Sequence, residues 1–323
     1  MHTRRFYQIP RLRLAPLDTP VEKMNRLQDA IKGSPSLFIK RDDFIGPLVW
    51  GNKLRKLEYS FAKAREEGAD TVITCGAVQS NHARTTAMVA RRLGLKCVLV
   101  LNGEEPEYPQ ANYRISKMMG VDIRLVVNKE DRQPAMSEVA EEIKSKGGTP
   151  FIIPLGASDS VGTPGFVNAM YELKSQQENL GLRFSHIVVA TSSGGTQGGL
   201  EAGKRIAGMH DIKIIGISAD DTPAEISQKA MRAANPIMEF TGLKPLLAED
   251  LTIDDRFTGP GYGIPSPEST RAAELFLNNE GILLDQTYTG KAAAGLISLI
   301  EEGFFNSKDT VLFWHTGGLV NLF

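Results

Sequence analysis

Lys53 lies in the stretch Trp50-Gly-Asn-Lys-Leu-Arg-Lys-Leu-Glu58, between a Gly-Asn turn and the start of an amphipathic helix. A lysine amine is a poor nucleophile while protonated, but at the mouth of a cleft, near other cations, its pKa falls and it condenses with carbonyls. Arg55 and Lys56 are the neighbours the sequence offers. The same charges also fit a solvated helix face, so chemistry at Lys53 needs support from elsewhere in the chain. A second stretch, Ser192-Ser-Gly-Gly-Thr-Gln-Gly-Gly199, follows the apolar run His186–Thr191 and precedes a helical one from Leu200 to Ala207. Strand, glycine turn and helix together aim free N–H groups and the helix dipole at an anion, typically a phosphate, although tight turns also need glycine. The spacing is neither G-x-G-x-x-G with a following acid nor G-x-x-x-x-G-K-[ST], which disfavours a dinucleotide or a nucleoside triphosphate. A third stretch, Gly76-Ala-Val-Gln-Ser-Asn-His82, places Ser80 and Asn81 at the start of a helix. They and the first amides of that helix suit a carboxylate or a hydroxyl, and taken alone they are an ordinary N-cap.

These stretches need elements to hold them. Residues 1 to 35 read as an irregular arm followed by a short helix from Val21 carrying Met24, Leu27 and Ile31, and Ser36 to Lys40 as a strand. From Leu54 helix and strand alternate with short connections: helices to about Glu67, over 81 to 93, 110 to 119 and 133 to 146, and strands at 71 to 75, 96 to 101, 122 to 127 and 151 to 154. After a helix from Phe166, the strands 186 to 191, 213 to 217 and 311 to 315 alternate with helices at 200 to 207, 223 to 235, 267 to 279 and up to Glu302. Apolar strands alternating with helices predict two doubly wound, open parallel sheets of the α/β class. The expected division is a larger cofactor-binding domain of residues 1–50 plus 157–323 and a smaller domain of residues 51–156. A turn-rich segment, Phe257 to Pro265, is suited to carrying Tyr262 over a cleft.

Composition narrows the function. The 323 residues carry a net charge of -1, with 41% hydrophobic and 23% charged, which gives no global field for nucleic acid or an anionic membrane. No apolar run approaches the roughly 18 residues of a spanning helix, and the N-terminus has no signal-peptide core, so a cytoplasmic protein is expected. Cys75 and Cys97, both in apolar segments, are expected as buried thiols rather than a disulfide, and the five histidines show no metal-ligand spacing.

A reactive lysine and a phosphate-binding glycine turn about 140 residues apart imply a cofactor that is both an aldehyde and a phosphate, and pyridoxal 5'-phosphate fits. At this point the sequence resembles the 1-aminocyclopropane-1-carboxylate deaminase and D-cysteine desulfhydrase family of fold-type II pyridoxal-phosphate enzymes, with the tryptophan synthase β-like fold. The resemblance spans nearly the whole chain. It is carried by Ile39-Lys-Arg-Asp-Asp43, Gly51-Asn-Lys-Leu-Arg-Lys-Leu-Glu58, Gly76–His82, Ser193-Gly-Gly-Thr196, Tyr288-Thr-Gly-Lys-Ala292 and His315-Thr-Gly-Gly318, in the family's order. It implies that Lys53 binds the cofactor covalently, that Lys56 and Ser193, Gly194, Gly195 and Thr196 hold its phosphate, and that Asn81 and Thr316 lie beside its ring. It further implies that Ser80, Asn81, His82, Tyr262, Tyr288 and Thr289 face a small amino-acid substrate, and that the protein is a homodimer.

Within the resemblance, the deaminase branch carries Glu after the tyrosine and Leu in the final turn, where this chain has Thr289 and Thr316. A neutral threonine near the pyridine nitrogen suits β-elimination, and D-cysteine desulfhydrase is the expected activity: Lys53 takes the α-proton, and Tyr288 or Tyr262 serves the leaving group. 1-Aminocyclopropane-1-carboxylate deaminase and L-cysteate sulfo-lyase are the alternatives within the family, and a non-catalytic amino-acid-binding protein is the alternative outside it. Trp50 and Gln286-Thr287 depart from the family pattern and are expected to reshape the pocket. Arg84 is a conceivable extra cation there, with a solvated surface position as its default.

Overall fold

The computed structural model describes residues 5–46 and 50–323. Six strands form one sheet: β1 (Val21–Lys23), β2 (Ser36–Arg41), β7 (His186–Thr191), β8 (Lys213–Ser218), β9 (Thr252–Asp254) and β10 (Thr310–His315), in the order β1-β2-β10-β7-β8-β9. Four more, β3 (Thr71–Ala77), β4 (Lys96–Asn102), β5 (Asp122–Val126) and β6 (Pro150–Ile153), form a second sheet in the order β5-β4-β3-β6. Every pairing is parallel except that of β1 with β2.

The helices are α1 (Asn25–Ala30), α2 (Lys53–Glu66), α3 (Asn81–Arg92), α4 (Ala111–Met118), α5 (Arg132–Ser145), α6 (Pro164–Leu180), α7 (Gly195–Ile206), α8 (Pro223–Thr241), α9 (Pro267–Glu280) and α10 (Thr289–Glu301). Both faces of each sheet are covered, as apolar parallel strands require. On β7, Val188 and Ala190 join a core with α1, α9 and α10, while Ile187 and Val189 point the other way into a core with α6 and α7. In the smaller sheet, Val72 and Leu99 pack under α2 and α3, and Ile73 and Val98 under α5. Cys75 and Cys97 are free and buried on opposite faces of that sheet. No helix among the described residues is long and apolar enough to cross a membrane.

Two expectations are corrected. The helix expected from Val21 begins only at Asn25, because Val21–Lys23 adds an antiparallel edge strand to Phe38–Lys40; Met24, Leu27 and Ile31 still reach the core. The helix expected from Leu200 begins at Gly195, inside the glycine run. Of the run, Gly194 turns the chain in the left-handed region at φ +75°. Gly198 and Gly199 instead lie in the helix, where a Cβ would come within 2.6 Å of Ala230 O on α8 and of Phe166 Cβ on α6. Half the glycines therefore serve close helix packing rather than the turn.

Candidate active site

The carboxyl ends of β3, β4, β7, β8 and β10 open on one cleft of about 400 Å³ between the two sheets, the position at which open α/β sheets take their ligands. Lys53, Ser80, Asn81, His82, Ser193, Gly194, Thr196, Tyr262, Tyr288 and Thr316 all line it. Gly195 and Thr289 do not.

Lys53 is held where α2 starts. Gly51 carries φ +60°, Asn52 N donates to Thr316 O at 3.1 Å, and a Cβ on Gly51 would sit 3.0 Å from that same oxygen. The turn after β10 and the turn before α2 are thus pressed together by glycines. Lys53 Nζ donates to Asn52 Oδ1 at 3.2 Å and lies 5.8 Å from the centre of the Tyr288 ring. Burial brings its pKa down to about 8, with Asp285 working in the opposite direction. The expected help from Arg55 is absent. Arg55 is fully buried on another face of α2, where it donates to Asp42 Oδ1 at 2.6 Å and to Glu172 Oε2 at 2.7 Å. That network, joined by Lys40, Thr19 and Trp314, ties α2 to β2, β10 and α6. The solvated-face reading of this helix start is excluded, because Arg55 and Lys56 both have no exposed surface.

Lys56 lies behind the cleft wall. Its Nζ donates to Ser158 Oγ at 3.0 Å, and Ser158 Oγ lies 2.8 Å from Ser193 Oγ, at the entrance to α7. No carboxylate is in ion-pair range of Lys56 among the described residues. Burial first, and the charge of Lys53 second, push its pKa well below the ordinary value. Asp159 works in the opposite direction but lies outside ion-pair range, so a buried lysine amine, two hydroxyls and the positive end of a twelve-residue helix make a place for an anion. Gly195 faces Ser158, where a Cβ would come within 2.4 Å of Oγ; the glycine brings the two segments together. Ser158 carries no signal of its own in the sequence, where the segment Ala157–Gly165 reads as a mere lead into a helix.

Across the cleft, Ser80 caps α3 by accepting from Ala83 N at 3.2 Å. The amides of Asn81 and His82 open the helix and have no acceptor within it. His82 is buried and neutral, its pKa held well down by burial and by Lys56 and Lys53. Its Nε2 lies 2.8 Å from Thr74 Oγ1, whose hydroxyl hydrogen goes to Ile153 O at 2.7 Å, so Nε2 carries the imidazole hydrogen.

Tyr262 and Tyr288 meet hydroxyl to hydroxyl at 2.6 Å. Burial raises the Tyr288 phenol well above its ordinary pKa and the Tyr262 phenol to about 12. The loop bearing Tyr262 is pinned by Lys291, whose Nζ donates to Ala219 O, Thr258 O and Gly261 O at 2.6–2.8 Å. Thr289 departs from expectation. Its Oγ1 donates to Asp285 Oδ1 at 2.7 Å, and Asp285 also accepts from the amides of Thr287, Tyr288 and Thr289, capping α10. Trp50 forms part of the cleft wall, its ring 5.3 Å from Arg92. Arg84, expected in solvent, is buried to 2% exposure and lines the cleft.

Comparison with known proteins identifies the family. Residues 12–317 match the family model of pyridoxal-phosphate dependent enzymes. The chain is 38% identical to 1-aminocyclopropane-1-carboxylate deaminase of Burkholderia lata, over 99% of this chain and 96% of that protein. It is equally 38% identical to D-cysteine desulfhydrase of Yersinia pestis, over 98% and 96%. The crystal structure of an ACC deaminase homologue superposes with a TM-score of 0.90 at 35% identity, covering all of this chain and 96% of that one. A pyridoxal 5'-phosphate-dependent aspartate racemase shares the fold alone, with a TM-score of 0.71 at 16% identity over 98% of this chain and 94% of that one. The chain is therefore a member of the fold-type II pyridoxal-phosphate dependent enzymes, in the group that holds 1-aminocyclopropane-1-carboxylate deaminase and D-cysteine desulfhydrase.

Proposed function

We propose that this enzyme eliminates the β-substituent of a small amino acid, with D-cysteine as substrate and pyruvate, sulfide and ammonia as products. The observation that carries the choice is at position 289. The residue there is a threonine whose hydroxyl is committed to Asp285, so α10 brings no carboxylate into the cleft.

The residues present suit the cofactor. Lys53 would hold its aldehyde, Lys56, Ser193 and the first amides of α7 would hold its phosphate, and Asn81 and Thr316 would lie beside its ring. Bound in this way, pyridoxal phosphate supplies the electron sink that makes a substrate α-proton acidic. Ser80 and the amides of Asn81 and His82 hold the substrate carboxylate. Lys53, with its pKa near 8 rather than 10.5, is neutral often enough near pH 7 to take the α-proton. Tyr288 keeps its proton until needed and delivers it to the departing sulfur, with Tyr262 holding its hydroxyl in place. The same reading includes a homodimer in the cytoplasm, checked by sedimentation and by cell fractionation.

A second reading rests on Arg132, which opens α5 and lines the cleft with no carboxylate in ion-pair range among the described residues. That cation favours an anionic leaving group, as in L-cysteate. The test is a spectrum of the purified holoenzyme before and after D-cysteine, L-cysteine, L-cysteate and 1-aminocyclopropane-1-carboxylate, with pyruvate and sulfide assayed at each addition. Pyruvate and sulfide from D-cysteine alone support the proposal. Sulfite and pyruvate from L-cysteate, with D-cysteine inert, replace it by the second reading.

A further inference from the structure

Arg84 is a buried charge that the proposed reaction leaves without work. It sits three residues into α3 from Asn81, and no carboxylate lies in ion-pair range of it among the described residues. Burying a guanidinium without a counter-ion is costly, and burial alone brings its pKa down to about 9. What surrounds it is amides. Nε donates to Asn112 Oδ1 at 2.8 Å, and Nη2 donates to Asn81 Oδ1 at 3.3 Å. Asn112, buried on α4, has its oxygen taken by Arg84, so its Nδ2 must face acceptors. Its two hydrogens are shared among three acceptors, Asn81 Oδ1 at 3.0 Å, Gln79 O at 3.0 Å and Asn321 Oδ1 in the segment that follows β10.

Asn81 Oδ1 therefore receives two donors, one from a guanidinium and one from an amide. Turning the Asn81 carboxamide over would set its Nδ2 against both. Its oxygen is held in the wall, and its Nδ2 is the end left for the cleft that Asn81 lines. We propose that Arg84 and Asn112 are positioning residues that lock the Asn81 carboxamide in one orientation, so that it presents only a hydrogen-bond donor to an oxyanion in the cleft. That oxyanion is the ring oxygen of the cofactor or the carboxylate of the substrate. The inference rests on the reading that places Asn81 at the cofactor and substrate.

The decisive variant is Asn112→Asp. It keeps the shape of the side chain and offers Arg84 a carboxylate, but it replaces the donor at Asn81 Oδ1 with an acceptor and invites the carboxamide to flip. Arg84→Lys is the second variant, because it keeps the charge and loses the fork that reaches both amides. Four quantities are measured: cofactor affinity by titration of the apoprotein, the absorption band of the holoenzyme from pH 6 to 10, KM and kcat for the best substrate, and the thermal midpoint of the apoprotein. If the ring oxygen is the partner, Asn112→Asp weakens cofactor binding roughly tenfold or more and moves the pH titration of the band. If the substrate carboxylate is the partner, the spectrum and cofactor affinity hold while KM rises about tenfold at nearly constant kcat. Wild-type values for spectrum, affinity and KM in both variants overturn the proposal, as do losses that only follow the thermal midpoint. Should the wild type make no pyruvate from D-cysteine, the choice of substrate falls, and the spectral and affinity measurements still decide the role of Arg84 and Asn112.

Discussion

Replacing Lys53 by methionine is expected to stabilise the cofactor-free protein. The folded pKa of about 8 against an ordinary 10.5 means that the fold disfavours the charged amine by about 2.5 units, or about 3.4 kcal/mol at 1.36 kcal/mol per unit. The side chain is half-buried and faces cleft water, so roughly half of that survives screening. Methionine also gives up the contact with the Tyr288 ring, worth about 0.5 kcal/mol. A net gain of about 1 kcal/mol remains at pH 7. Below pH 8 both folded and unfolded chains hold the proton on Lys53, and the whole penalty is present. Between about 8 and 10.5 the unfolded chain binds more protons than the folded one, so wild-type stability rises with pH through this group and the advantage of methionine shrinks. Urea unfolding of both apoproteins at pH 7 and pH 10 measures it. Equal midpoints at pH 7, or a gap that widens toward pH 10, refute the reasoning.

Lys56→Met removes the buried ammonium that faces Ser158 and Ser193, and cofactor affinity should fall ten- to a hundredfold by titration of the apoprotein. Under the proposed reaction the phenol serves the leaving group and not the carboxylate, so Tyr288→Phe should lower kcat about a hundredfold with KM changed only a few-fold. Arg55→Met leaves the buried Asp42 without its ion-pair partner, and Glu172 with Lys40 alone, and should cost about 3–5 kcal/mol in urea unfolding. Adding Asp42→Asn to that variant should restore a large part of the loss.

The elements that can be read from the sequence are those whose signals are local. Gly68, Gly94 and Gly120 end their helices with left-handed φ, and each is legible as a stop. The β7 run is apolar on nearly every residue because both of its faces are covered, and that too is visible in the sequence. What escapes depends on contacts distant in sequence. Val21–Lys23 looks helical until Phe38–Lys40 is beside it. Arg84 looks like a surface residue because nothing nearby in the chain tells that Asn112 and Asn81 will enclose it. Ser158 is one more serine in a turn until Lys56, 102 residues earlier, points at it. Thr289 sits one residue after Tyr288 and looks equally available, but the cap it makes with Asp285 turns it from the cleft.

The distribution of charge explains how the fold tolerates such a site. Three cations, Lys53, Lys56 and Arg84, are gathered at or behind one cleft without carboxylates in ion-pair range among the described residues. Each is destabilising by itself, and the repulsion between Lys53 and Lys56 adds to the burial cost. On the opposite side of α2, Arg55 and Lys40 are matched by Asp42 and Glu172, and that matched network anchors the same helix that carries Lys53 and Lys56. One helix thus has a side where charge is neutralised within the chain and a side where it is left for a ligand. Under the proposed function the cofactor phosphate and the substrate carboxylate would be the anions that complete the second side, so binding should stabilise the enzyme as well as assemble the chemistry.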